Sequence, residues 1–221
     1  MFLFFFFVLA IILFGVLIIT AYVSYLIRHS SGKKNGLSRE KVSLCTVLGS
    51  GGHTKEMLEI LKELNPKFSP RIYIIADTDT MSEDKVFTFE RNRQDYTIHK
   101  IPRAREVGQS YTLSIKTTII ALISSAKLVF QANPDLLLLN GPGTCIPVAF
   151  LAAFYDMIRL RDTVIIYQES ICRVKKLSLT GSILYYTGLA DDVVVQWEQL
   201  KEKYPRVQYI EKLHVRGKKT N

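Results

Sequence analysis

One uninterrupted apolar stretch constrains this chain more than any other feature. Residues 2–27 carry no charged side chain and consist mainly of Phe, Leu, Ile and Val. At ~1.5 Å per residue a helix of this length reaches about 39 Å, more than the ~30 Å hydrocarbon core of a bilayer. A cleaved signal peptide is the alternative. It would need a basic start, a shorter apolar run and a small-x-small cleavage site, and this stretch does not have these features. We therefore predict that residues 2–27 form an uncleaved transmembrane anchor.

The residues after the anchor predict its orientation. Residues 28–41 contain five Lys or Arg and a single acid, whereas no basic residue precedes the apolar stretch. Because basic residues collect on the cytosolic side of a membrane, this basic linker and the rest of the chain are expected in the cytosol. The cysteines are consistent with a cytosolic location. Cys45, Cys145 and Cys172 are widely spaced, which predicts buried, reduced thiols rather than disulfides.

The remainder of the chain alternates apolar strand patterns with helical patterns. Strands are predicted at 42–48, 71–76, 96–101, 136–140, 163–167, 193–197 and 207–210. Helices are predicted at 54–64, 82–93, 111–132, from the GPGT turn to about 159, at 177–189 and at 198–203. This alternation is typical of a doubly wound parallel sheet. The prediction is an α/β fold: one Rossmann-like domain over residues 42–210, followed by a basic tail, residues 211–221.

The predicted helix 111–132 is unusually apolar for a surface helix. Its only charges are Lys116 and Lys127, which are eleven positions apart and so lie on one face. Two interpretations stay open. The helix lies in the membrane interface with its lysines at the headgroups, or it is a central core helix.

Several function classes find no support in the sequence. The chain has a net charge of +9, which suits an anionic membrane surface or an anionic substrate. No RRM, KH, zinc-finger or basic-helix signature indicates nucleic-acid binding. No G-x-S-x-G motif, metal-ligand spacing or nucleophilic cysteine setting indicates a hydrolase or a metalloenzyme, so neither a metal nor a cofactor is expected.

Parallel sheets bind ligands at the carboxyl ends of their strands, which directs attention to the loops there. The first such loop, 49–53, reads GSGGH and precedes a helix. Glycines such as Gly51 and Gly52 let backbone amides approach a phosphate, although a tight turn without a ligand is the alternative. His53 is a candidate general base or only a packing residue. The dinucleotide fingerprint is not met, because Thr54 occupies the position of its last glycine.

Two further loops carry groups suited to phosphate. Arg103 and Arg105 follow the third strand, where their guanidinium groups can bind phosphate or form a solvated turn. The loop 140–144 reads NGPGT and supplies Asn140, Gly141, Gly143 and Thr144, the last as a helix N-cap.

Glu169 and Arg173 lie in the loop after the fifth strand. The Glu169 carboxylate orients a hydroxyl or an imidazole, acts as the base, or forms an ion pair with Arg173. Asp77 and Asp79, after the second strand, bind a ribose or cap the next helix.

Together these motifs carry a resemblance to a known family. The anchor followed by LGSGGHTKEML, IADTDTMS, IPRAREVGQS, NGPGTC and ESICRV resembles the membrane-anchored subunit of the eukaryotic enzyme that adds the second N-acetylglucosamine to dolichol diphosphate-GlcNAc in asparagine-linked glycosylation. More distantly, the chain is similar to the acceptor half of the bacterial lipid II GlcNAc transferase. The tail 211–221 departs from the family, whose members usually end soon after the last strand.

The resemblance implies half of a split GT-B glycosyltransferase, anchored by a single span in the endoplasmic reticulum membrane with its domain in the cytosol. This half would bind membrane lipid and the lipid-linked GlcNAc diphosphate acceptor. A soluble catalytic subunit would bind UDP-GlcNAc, so the isolated chain is expected to be inactive. The resemblance places the acceptor diphosphate on Gly51, Gly52, Gly141 and Gly143, and makes His53 or Glu169 the base.

Two other functions remain open at this point. The chain could be a non-catalytic scaffold that brings a complete enzyme to the membrane. It could also be an autonomous nucleotide-dependent oxidoreductase, which the glycine loop and Asp77 suggest and the missing third glycine weakens.

Overall fold

The computed structural model describes residues 11–12, 15–16, 18–19, 22–23, 26, 35–104, 111–141, 143–158 and 160–210. The described positions of the apolar stretch 2–27 are helical. The rest of that stretch, linker residues 28–34, Arg105 and the tail 211–221 lie outside the described residues.

Within the described residues, seven strands alternate with helices. The strands are β1 (Val42–Leu48), β2 (Phe68–Ala76), β3 (Tyr96–Ile101), β4 (Leu136–Asn140), β5 (Val164–Gln168), β6 (Asp192–Val195) and β7 (Gln208–Tyr209). The helices that follow them are α1 (Gly52–Glu63), α2 (Thr80–Phe89), α3 (Tyr111–Ala132), α4 (Cys145–Met157), α5 (Leu179–Thr187) and α6 (Glu198–Lys203). A short 3-10 helix, Asn35–Ser38, precedes β1.

The strands form one parallel sheet in the order β3-β2-β1-β4-β5-β6-β7. The Rossmann-like α/β prediction is thereby confirmed. The chain builds outward from β1 in one direction and then returns to place β4 on the other side of β1. That reversal opens a crevice between the carboxyl ends of β1 and β4, which is where such sheets bind ligands.

The fully buried strand β4, four leucines followed by Asn140, shows that helices cover both faces of the sheet. All its residues are buried, and successive side chains of a strand point to opposite faces. Leu137 and Leu139 accordingly pack into one core, and Leu136 and Leu138 into the other. A strand buried on both faces is what a doubly covered parallel sheet requires.

Strand β2 starts earlier than the predicted residue 71. It begins at Phe68 and includes Pro70, which has no N–H to donate. Since β3 pairs with β2 only from Arg71 onward, the first residues of β2 are paired on one side alone, where a proline is tolerated. After β2, Asp79 caps α2 by accepting a hydrogen bond from the Ser82 amide, as the turn interpretation predicts.

Helix α3 exposes most of its apolar surface. A narrow stripe, Ala121, Ser125 and Val129, is buried. In contrast, Ile115, Ile119, Ile120, Ile123 and Phe130 are exposed. Among the described residues, the segment Ile115–Ala132 is the one helix long and apolar enough to cross a membrane, and 17% of it is buried in the fold. In this chain α3 is therefore not a central core helix.

The thiols differ in burial, and this corrects the expectation that all are buried. Cys45 in β1 and Cys145 at the start of α4 are buried, whereas Cys172 is exposed because it lies in the loop after β5. Burial disfavours the thiolate and raises the pKa of both Cys45 and Cys145 to about 12.

We expect iodoacetamide at pH 8 to alkylate the native full chain at Cys172 alone. The protonated thiols of Cys45 and Cys145 should react only after unfolding in urea, which peptide mass spectrometry would show. Equal labelling of Cys145 and Cys172 in the native chain would contradict this packing.

Candidate functional site

A cleft of about 500 Å³ opens where the carboxyl ends of β1, β4 and β5 meet. It is lined by Gly52, His53, Glu56, Gly141, Glu169, Ser170, Cys172, Arg173, Ser178, Leu179 and Thr180. Three loops separated in the sequence contribute to it, because β1, β4 and β5 are neighbours in the sheet. The structure thus brings five of the predicted site residues together: Gly52, His53, Gly141, Glu169 and Arg173.

The imidazole of His53 lies directly over the backbone of Gly141. Gly141 has φ +92°, and a Cβ atom built on it would lie 2.1 Å from His53 Nδ1. The residue must therefore be glycine for two reasons, its left-handed backbone and the close approach of the ring. His53 Nδ1 lies 3.0 Å from Asn140 Oδ1, which ties α1 to the end of β4.

Asn140 is buried beneath this ring and connects three elements. Its Nδ2 donates to Glu56 Oε2 at 3.0 Å and to the backbone oxygen of Gln168 at 3.3 Å. Ser170 Oγ donates to the other carboxylate oxygen of Glu56 at 2.9 Å. The sequence patterns did not predict Glu56 or Ser170 as site residues. The one signal for Glu56 was its position three residues after His53, on the same face of α1.

Glu169 is buried at the end of β5, and its carboxylate holds the start of α5. Its Oε2 accepts from the Ser178 amide at 2.7 Å, and its Oε1 accepts from the Ser170 amide at 3.0 Å. A Cβ atom on Gly181 would lie 2.5 Å from Oε2, so this glycine makes room for the carboxylate. No ion pair joins Glu169 to Arg173 in the part of the chain that the structure describes.

The hydroxyl of Tyr167 connects the end of β5 to Ser178, before α5, and to Gly141, after β4. It lies 2.9 Å from Ser178 Oγ and donates to the backbone oxygen of Gly141 at 3.4 Å. Burial, together with the neighbouring Glu169 carboxylate, raises the pKa of Tyr167 well above its usual range. The hydroxyl therefore stays protonated and able to donate.

The groups near the cleft that attract anions lie in an exposed loop and at two helix starts. Arg173 lines the cleft, and Lys175 and Lys176 follow it in the same exposed loop. The first turns of α1 and α4 begin directly after the loops 49–51 and 140–144, and free backbone amides at such ends attract anions. Among the described residues, no group of three His, Cys, Asp or Glu could hold a metal ion.

Of the other predicted residues, those that the structure describes do not line the cleft. Gly51 is exposed just before α1, whereas Gly143 and the buried Thr144 stand at the start of α4. Thr144 is the N-cap of α4 but forms no side-chain cap hydrogen bond. Arg103 lies farther away, after the edge strand β3, where its Nε donates to Thr78 Oγ1 at 3.0 Å.

Comparisons with known proteins agree on one family. The family model described as "Oligosaccharide biosynthesis protein Alg14 like" matches residues 44–213. UDP-N-acetylglucosamine transferase subunit ALG14 of Homo sapiens is 45% identical over 181 residues, which cover 78% of this chain and 83% of that protein. The subunit of the same name in Candida albicans is 42% identical, with coverage of 81% and 82%. That of Schizosaccharomyces pombe is 34% identical, with coverage of 90% and 96%.

A solved structure shares the fold. The crystal structure of Acinetobacter baumannii MurG matches with a TM-score of 0.52 and 16% sequence identity. The match covers 77% of this chain but only 44% of the MurG chain.

We expect the substitution Gly141→Ala to destabilise the full chain. The new methyl group would overlap the His53 ring and force a strained backbone, at a cost of about 1–3 kcal/mol. Urea unfolding in detergent would measure the loss. Gly52→Ala is the matched control, because a Cβ atom there meets nothing within 4 Å. Equal stability of the two variants would contradict the packing of His53 on Gly141.

Proposed function

The chain belongs to the Alg14 family of oligosaccharide biosynthesis proteins, and from this premise we propose that it is a subunit of a UDP-GlcNAc transferase. Its role is to bind the lipid acceptor and to recruit the enzyme to the cytosolic face of the endoplasmic reticulum membrane. The reaction is the addition of the second GlcNAc to GlcNAc-diphosphodolichol. The observation that carries this proposal is the cleft between β1, β4 and β5, where His53 meets Gly141 beside Arg173.

The cleft has the groups that a diphosphate needs. Gly52 and Gly141 line the cleft, where their backbone amides would bind the diphosphate, and Gly51 directly precedes α1 beside Gly52. Asn140, Gly143 and Thr144 shape the second loop at the start of α4. Arg173 offers a guanidinium group, which binds phosphate oxygens in pairs. Arg103 lies outside the cleft and is left out of the proposed site.

His53 is the better placed of the two candidate bases. Its side chain is 35% exposed to the cleft, whereas Glu169 is 1% exposed and both of its oxygens accept backbone N–H groups. In the proposed step the 4-hydroxyl oxygen of the acceptor GlcNAc attacks C1 of the donor GlcNAc. The bond between C1 and the diphosphate of UDP breaks, and His53 takes the hydroxyl proton. Glu169 then serves to hold the β5 loop and α5 in place.

The proposed enzyme includes a second polypeptide. The described residues form one sheet domain, and the match to MurG spans less than half of that chain. The curated relatives are each named as a subunit of a transferase, which implies a further subunit. We propose that a soluble catalytic subunit supplies the UDP-GlcNAc site and that the isolated chain is inactive.

Membrane recruitment has two supports. Residues 2–27 are long and apolar enough to span a bilayer. In addition, Ile119 and Ile123 of α3 and Phe150 and Phe154 of α4 are exposed, and these helices pack together through the Tyr155 hydroxyl bond to Ala126 O. Exposed apolar patches of this kind mark interaction or membrane surfaces. We propose that this apolar face lies against the bilayer, with Lys116 and Lys127 among the headgroups.

A transfer assay tests the proposal. The full chain would be co-expressed with the soluble UDP-GlcNAc-binding partner, and radiolabelled GlcNAc transfer to a prenyl diphosphate-GlcNAc acceptor would be measured in membranes. We expect transfer by the pair and none by either chain alone. His53→Ala should lower kcat by roughly 10²- to 10⁴-fold, the usual contribution of a general base.

His99→Ala is the control, since His99 is exposed on β3 away from the cleft. No transfer by the pair would contradict the proposed reaction. Unchanged turnover in both His53→Ala and Glu169→Ala, with the partner still recruited to membranes, would favour the non-catalytic scaffold. Binding of NAD(P) by the chain would instead favour the oxidoreductase.

A further inference from the structure

Glu56 lines the cleft, and each oxygen of its carboxylate accepts a hydrogen bond from another side chain. Its Oε2 accepts from Asn140 Nδ2 at 3.0 Å, and its Oε1 accepts from Ser170 Oγ at 2.9 Å. Glu56 belongs to α1, whereas its two partners stand at the ends of β4 and β5. A carboxylate with both oxygens occupied in this way fixes the loops that donate to it.

The bond to Glu56 determines which way the Asn140 amide faces. An amide oxygen and an amide nitrogen are similar in size, so only the hydrogen-bond partners tell them apart. Asn140 Nδ2 faces Glu56 Oε2 and the backbone oxygen of Gln168, and both of these oxygens are hydrogen-bond acceptors. The NH₂ group must therefore point to them, and Oδ1 must point to His53.

The orientation of Asn140 in turn determines the protonation of the His53 ring. An amide oxygen accepts hydrogen bonds and cannot donate, and it lies 3.0 Å from His53 Nδ1. In the neutral ring Nδ1 must carry the hydrogen, which leaves the lone pair on Nε2. We propose that Glu56 is a positioning residue that acts through Asn140 to hold His53 in this Nδ1–H form, with Nε2 ready to take a proton.

A direct action of Glu56 on the ring is disfavoured by distance. His53 Nδ1 and Glu56 Oε2 are 4.0 Å apart, beyond hydrogen-bond range, and Asn140 donates to that same oxygen at 3.0 Å. The arrangement has the logic of a catalytic triad, in which a third group keeps the imidazole in the productive tautomer. The catalytic consequence rests on the proposed function, since it requires that His53 is the base. The assignment of the tautomer does not depend on the proposed function.

Nitrogen NMR of the full chain in detergent measures the tautomer directly. With ¹⁵N-labelled histidine, the His53 signals are assigned by their loss in His53→Gln. Neutral His53 should show a protonated Nδ1 and an unprotonated Nε2. An unprotonated Nδ1 and a protonated Nε2 in the unmodified protein would overturn the proposal, and this result needs no substitution of Glu56.

Two substitutions of Glu56 separate its geometry from its charge. Glu56→Ala leaves Asn140 with the longer 3.3 Å bond to Gln168 O, so we expect a mixture of tautomers. Glu56→Gln can keep its oxygen on Asn140 and turn its nitrogen toward Ser170 Oγ, so the Nδ1–H form should persist. Glu59→Gln is the control, because Glu59 is exposed on the same helix outside the cleft.

Kinetics of the assembled transferase complete the test. In Glu56→Ala, kcat should fall about 10- to 100-fold, the usual effect of losing a supporting hydrogen bond, while KM for the acceptor stays within about twofold. Glu56→Gln should restore most of the rate. An unchanged tautomer in Glu56→Ala would overturn the positioning role. A changed tautomer with an unchanged kcat in Glu56→Ala would support the positioning role of Glu56. The same result would overturn the assignment of His53 as the base.

Discussion

The contact between His53 and the end of β4 is the interaction on which the site depends. Parallel pairing of β1 with β4 places the GSGGH and NGPGT loops at the same edge of the sheet. The His53 ring then packs on Gly141 and bonds to Asn140. Without a glycine at 141 the ring has no room, and without Asn140 it has no fixed orientation. The cleft, its proposed base and the loops proposed to bind the diphosphate all follow from this one adjacency.

Much of the fold was predictable, because the strands are short, apolar and clearly separated. β1, β3 and β4 begin and end at the predicted residues, as do α3 and α6. The site was predictable only in part. The rule that ligands bind at the carboxyl ends of strands selected three loops that meet at the cleft. It did not reveal the order of the strands, and Arg103 lies apart because β3 is at the edge of the sheet.

Glu56 shows what the sequence could not reveal. Within α1 it is one of several charged residues on an amphipathic helix, and only its position three residues after His53 distinguishes it from Glu59. Its significance appears only when β4 and β5 bring Asn140 and Ser170 to its carboxylate. Contacts between residues more than eighty positions apart arise from the packing of elements, and local sequence patterns do not encode them.

The location of the apolar face relative to the cleft is consistent with a lipid-linked substrate. Helix α4 starts at Cys145, directly after the NGPGT loop. The exposed Phe150 is five residues farther on, which is about 8 Å along a helix. A bilayer against this face would bring a lipid-linked diphosphate close to the loop, while the prenyl chain stays in the membrane.

Binding of a diphosphate acceptor tests the central claim most directly. The full chain in detergent, labelled with ¹⁵N-glycine, would be titrated with a short-chain prenyl diphosphate-GlcNAc. We expect saturable shifts of the Gly51, Gly52 and Gly141 amides. Arg173→Ala should weaken binding about tenfold or more, as expected for a lost charge-assisted hydrogen bond, and Arg103→Ala should not. Absence of saturable binding, or a loss with Arg103→Ala alone, would contradict the assignment of this cleft as the acceptor site.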